Sequence, residues 1–156
     1  MDTLILFLIA AGIALLLFVI YKWFLTKRYP EKTNQMLDSI PELEQLGLKR
    51  KPDGYAGICR GYYVNVYATT SLKRVGYMSG DNFQVWVSVL PDEQLTSMSG
   101  FFGKYMTVKG DGYTMIGFVL RYTPGLDNEE AIQNKLISLI ESLKEKGVKP
   151  YPVSGI

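Results

Sequence analysis

The chain has 156 residues, 47% hydrophobic and 21% charged, with a formal net charge of +2, a composition that excludes a disordered or low-complexity protein. Histidine is absent and Cys59 is the only cysteine. A His-based acid/base centre, a Cys-His dyad, a zinc site of the usual ligands and an internal disulfide are therefore excluded within one chain.

The apolar residues are concentrated at the start. Residues 3–21 carry no charge, and most side chains from 4 to 20 are Leu, Ile, Phe or Val, each favouring insertion into a bilayer by about 0.3–0.6 kcal/mol. As a helix this run would be about 28 Å long, close to the roughly 30 Å of bilayer hydrocarbon. The expectation is a single transmembrane helix, with residues 1–28 as anchor and juxtamembrane basic cluster. Tyr21, Lys22 and Trp23, followed by Lys27 and Arg28, would be its membrane-interface residues, aromatic rings and snorkelling cations meeting the headgroups. A cleaved signal fits less well, because Asp2 precedes the apolar run and the basic residues follow it. The positive-inside bias puts a single-pass protein in the cell membrane with its C-terminal domain cytoplasmic and the lipid bilayer as its first partner.

Removing Lys22, Lys27 and Arg28 from 17 basic residues, and Asp2 from 15 acidic ones, leaves 14 of each in residues 29–156. A neutral domain lacks the basic surface that phosphate-driven binding needs, so no nucleic-acid partner is expected. The clusters Lys49-Arg50-Lys51 and Lys73-Arg74 read as solvated loop charges.

Residues 29–38 are polar and read as a tether or a continuation of the first helix, 39–147 as an α+β globular domain, and 148–156 as an extended tail held out of helix by Pro150 and Pro152. In Ser39-Ile-Pro41-Glu42 the S-x-x-E spacing predicts a capping box opening a short helix that Gly47 ends. From Tyr55 the period changes to two. Strands are expected near 54–60, 61–69 and 83–90, with a glycine-bearing loop over about 70–82. Pro91-Asp92-Glu93 starts a second short helix carrying Leu95, Met98 and Phe102. Strands near 104–110 and 112–122 flank Asp111-Gly112, a tight hairpin signal. Asp127-x-x-Glu130 then opens the best-patterned helix in the chain, with Ile132, Leu136, Ile137, Ile140 and Leu143 on one face and Gly147 after its end. The fold class expected is thus a transmembrane helix followed by a mostly antiparallel five-stranded sheet packed with two or three helices.

No catalytic residue, metal ligand set or cofactor motif is expected. Without histidine a Ser or Cys nucleophile has only Lys, Glu or Asp to activate it, and no G-x-S-x-G, S-x-x-K, Walker or calcium-loop pattern occurs. Cys59 reads as a structural thiol. What remains is the second face of the sheet. Phe83, Val85, Val87 and Val89 form a core face, leaving Gln84, Trp86 and Ser88 opposite. By the same alternation Tyr63 and Tyr67 fall on that side, as do Tyr113, Met115, Val119 and Arg121. Tyr105 is expected to join them. Tyr, Trp and Arg on an open sheet are typical interface anchors, so Tyr63, Tyr67, Trp86, Tyr105, Tyr113 and Arg121 are the expected partner-binding residues, for a protein partner or a second copy of the chain. The alternative is a membrane-tethered enzyme or small-ligand-binding domain using carboxylates and tyrosines near the 70–82 loop, with Asp81, Arg74 and Tyr77 in one pocket.

The stretches SIPELEQLG, YAGICRGYYVNVYATTS, NFQVWVSVL, PDEQLTSM, YMTVKGDGYTMIGFVLRYT and DNEEAIQNKLISLIESLKEKG follow an α-β-β-β-α-β-β-α order over most of residues 39–147. That order resembles the type III secretion chaperone-like fold, including the YbjN-like family. The resemblance implies a non-catalytic domain that binds protein partners and often dimerises. The membrane segment and the neutral domain depart from that pattern.

Overall fold

The computed structural model describes residues 2–70, 80–98 and 104–152, and within 2–38 the side chains of 5, 7–23, 26 and 30–38. The chain opens with one long helix, α1 (Asp2–Asp38). Its first part has no polar side to turn to water, and its large apolar side chains stand exposed from Ile5 to Trp23. Among the described residues, however, no helix is long and apolar enough to cross a membrane. This corrects the expected transmembrane span. The structure shows an apolar helical arm.

The polar segment 29–38 continues that helix. Thr33, Met36 and Leu37 are buried, so the last turns of α1 belong to the domain core. Ser39 does not cap the next element as the S-x-x-E spacing suggests; its Oγ donates to the Met36 carbonyl at 2.6 Å, helping to close α1. The following turn is a 3-10 helix (Pro41–Leu46) with Ile40 at its N-cap and no side-chain cap of its own.

Six strands follow or flank the remaining helices: β1 (Leu48–Lys51), β2 (Gly54–Cys59), β3 (Tyr62–Thr69), β4 (Asn82–Val89), α2 (Leu95–Met98), β5 (Met106–Lys109), β6 (Thr114–Arg121) and α3 (Asn128–Glu145). The sheet is antiparallel in the order β1-β2-β3-β4-β6-β5. It has six strands where five were expected. The extra one is β1, whose Lys49-Arg50-Lys51 read as loop charges because an edge strand can carry lysines without burying them, while Leu48 enters the core. Arg50 is no loop charge. It donates to Asn34 Oδ1 at 3.1 Å, approaches Asp38 at 3.6 Å and lies over the Tyr55 ring, tying β1 and β2 to the end of α1.

The hairpins follow from their turn residues. Arg60 (φ 51°) and Gly61 (φ 92°) are both left-handed, the requirement of a two-residue turn between β2 and β3, and Arg60 also pairs with Glu141 of α3 at 2.9 Å. At the β5–β6 turn Gly110 N donates to the Tyr113 carbonyl at 2.9 Å around Asp111-Gly112. Of the second short helix the described residues show α2, and Phe102, expected on it, lies outside them. On α3, Asp127 caps the helix through Oδ1, accepting from Glu130 N at 2.8 Å. Leu139 joins Ile132, Leu136, Ile140 and Leu143 in the core, and Ile137 is only half-buried.

The core lies on one face of the sheet. Tyr55, Cys59, Tyr62, Val64, Val66, Phe83, Val85, Val87, Val89, Ile116 and Phe118 pack with α3, the 3-10 helix and the end of α1. Two buried tyrosines bring their hydroxyls to backbone carbonyls, Tyr55 to Leu37 at 3.3 Å and Tyr62 to Val148 at 2.6 Å. The residues after α3 return to the sheet, where Pro150 bridges Val89 and Tyr151 N donates to the Ser88 carbonyl at 3.2 Å.

Candidate protein-docking face

The register of β2 through β6 lays out the opposite face row by row. One row runs Ile58, Tyr63, Ser88, Met115, Val108; the next runs Ala56, Asn65, Trp86, Gly117, Met106; a third holds Tyr67, Gln84 and Val119. Side chains opposite one another in an antiparallel pair lie within contact reach, so this is a continuous surface. Tyr63, Asn65, Gln84, Trp86, Met106, Met115 and Val119 are half-buried against one another. Ile58 is 56% exposed and Tyr67 37%. The described helices pack on the core face, and among the described residues no helix covers this one.

Trp86 sits at the centre because its neighbour on β6 has no side chain. A Cβ on Gly117 would lie 2.7 Å from the indole and 2.1 Å from the Val85 carbonyl oxygen, so the glycine lets the indole lie flat across β6. The indole Nε1–H donates to Gln84 Oε1 at a long 3.4 Å, leaving it available for a better acceptor. Burial pushes the Tyr67 hydroxyl above its ordinary pKa, with smaller contributions from Asp53 and Tyr63. It therefore stays protonated and able to donate at neutral pH.

The residues expected here are not all brought together. Tyr63, Tyr67 and Trp86 share the face, and Arg121 stands exposed at its corner, opposite Asn82. Tyr105 does not belong to it, which corrects the expectation. It is 4% exposed and packs its ring 6.4 Å from Phe118 on the core side, because β5 presents Met106 and Val108 to the open face and the odd-numbered positions to the core. Tyr113 lies beyond the start of β6, its ring across Gly110 and 5.5 Å from the Tyr151 ring. Residues missed in the sequence are Ile58, Met106 and Val108. Their alternation is present but short, broken by Gly57 in β2 and limited to four residues in β5.

The alternative site is placed only in part. Asp81 is in an ion pair with Lys32 of α1 at 2.7 Å, and its carbonyl accepts from Tyr122 N; Arg74, Tyr77 and Lys73-Arg74 as a cluster lie outside the described residues. Among the described residues no group of three or more His, Cys, Asp or Glu could hold a metal ion. Cys59 is buried at the end of β2, and that burial pushes its thiol pKa up against the smaller opposing effect of Arg60 and Lys144; a protonated buried thiol is a poor nucleophile. On the arm, Tyr21, Lys22 and Trp23 are exposed, while the side chains of Lys27 and Arg28 lie outside the described residues.

No family model, no curated protein and no solved structure matches the chain.

Proposed function

We propose that the protein is a non-catalytic, membrane-anchored binding subunit whose α+β domain docks a protein on its open sheet face. The observation that carries this reading is the uncovered row of Tyr63, Asn65, Tyr67, Gln84, Trp86, Met115 and Val119. A surface of that kind joins aromatic anchors to adaptable polar groups, the composition of interface centres. The exposed apolar arm supports the membrane part of the proposal, since a contiguous apolar surface of that extent needs an apolar neighbour.

The docking proposal is tested by the double variant Trp86→Ala, Tyr67→Ala in the full chain, extracted in mild detergent. A partner that co-purifies near one-to-one with the wild type should be lost at least tenfold from the variant, with its far-ultraviolet circular dichroism unchanged, as expected for truncating anchors worth about 2 kcal/mol or more. Equal recovery with both proteins would reject the face. The membrane proposal is tested separately by liposome flotation: Ile9→Arg with Leu16→Arg should leave the protein at the bottom of the gradient, and flotation equal to wild type would reject lipid as the arm's neighbour.

A further inference from the structure

Leu126, just before α3, is 67% exposed. It is also held rigidly. Asn128 Nδ2 donates to the carbonyls of Thr123 (2.9 Å) and Leu126 (3.0 Å), its Oδ1 accepts from Thr123 N at 3.1 Å, and Leu126 N donates to the Thr123 carbonyl. A loop braced in this way presents its apolar side chain with little conformational freedom left to lose on binding. Exposed Asp127 and Glu130 flank it.

On the open face of the sheet, β1, β2 and β3 line a cleft of about 270 Å³ with Gly47, Ala56, Gly57, Ile58 and Tyr63, together with Lys49 and Lys51. That volume lies below the roughly 300 Å³ at which clefts begin to hold small organic ligands and suits a single branched side chain. The chain thus carries an acid-flanked apolar knob and a lysine-rimmed apolar socket on separate surfaces of a domain whose charges otherwise balance. We propose that Leu126 of one copy seats in the Ile58/Tyr63 cleft of a second copy, with Asp127 and Glu130 facing Lys49 and Lys51. Because knob and socket are different patches, the contact either propagates head-to-tail or is made twice across a two-fold axis. The socket is the Ile58/Tyr63 margin of the open face, and its occupant here is a second copy rather than the different protein centred on Trp86.

The test is sedimentation of the full chain in detergent micelles, for the wild type, the knob variant Leu126→Asp and the socket variant Ile58→Asp. The wild type should assemble with rising concentration, each variant alone should stay monomeric, and an equimolar mixture of the two should form a dimer, because each supplies the half that the other lacks. Lys49→Glu with Lys51→Glu serves as the socket variant if Ile58→Asp fails to fold. A monomeric wild type, single variants that assemble like wild type, or folded variants whose mixture stays monomeric would each overturn the inference. Absent assembly alongside intact Trp86-dependent partner capture would remove this inference and leave the docking proposal standing.

Discussion

Glu129 sits where the local sequence gives no sign of a contact. The 3-10 helix has no side-chain cap of its own, and the Glu129 carboxylate lies close to the backbone of Glu42 and Leu43 in its first turn. The arrangement has an electrostatic cost: burial is the largest influence, followed by the Glu42 carboxylate, and together they raise the Glu129 pKa, while Oε1 finds no partner. A raised carboxyl pKa means that the folded state holds a proton the unfolded chain has released. The contribution is therefore fully present below the unfolded-chain value and lost as pH rises through the folded one. Glu129→Gln keeps an acceptor and removes the charge. Urea unfolding at pH 4 and pH 7 should show the variant more stable than wild type at pH 7, with the gap closing at pH 4; a gap independent of pH would contradict the assigned cause. At Gly117 the prediction is steric. Gly117→Ala places a methyl against the Val85 carbonyl and the Trp86 ring, and should destabilise by about 1–3 kcal/mol while reorienting the indole, measurable as a shift in Trp fluorescence. Unchanged stability and emission would show that the indole is not held by this close approach.

At the scale of elements, the strands β2 to β6 and α3 were legible because their signals are local and mutually consistent. Alternating Val and Tyr, the Asp111-Gly112 pair and the Asp127 cap each act within a few residues, and register and core face follow from them. β1 was not legible. Its pairing is decided by Arg50, which reaches Asn34 and Asp38 in an element more than ten residues away, and no local pattern announces that contact. Tyr105 failed for a related reason: a four-residue edge strand contains too few alternations to establish its parity, and the aromatic side chain sits on the core side beside Phe118. The role of Arg50 makes a prediction at this scale. Arg50→Ala should lower stability by about 1–2 kcal/mol through lost charged hydrogen bonds and packing on Tyr55, whereas Lys49→Ala and Lys51→Ala should stay within about 0.5 kcal/mol, as read by denaturant unfolding. Equal effects at all three positions would return Arg50 to the status of a surface charge.

For the whole molecule, the consequence of building a two-layer domain from a six-stranded sheet is that its described helices serve only one face. The helix that enters this core is continuous with the apolar arm, so the domain is joined to the arm by helix rather than by a loose tether. Most of the candidate face could be read from the period-two pattern of β3, β4 and β6. Its Met106, Val108 and Ile58 margin could not, because those positions join the face only through the pairing of β5 with β6 and β2 with β3. Docking of a protein on this face is tested by site-specific photo-crosslinking in native cells from position 67 on the face and from exposed Asn134 on α3. One dominant adduct to a single protein is expected from position 67, lost when Trp86→Ala is added, with no such adduct from 134. No adduct from position 67, or the same adducts from both positions, would contradict it.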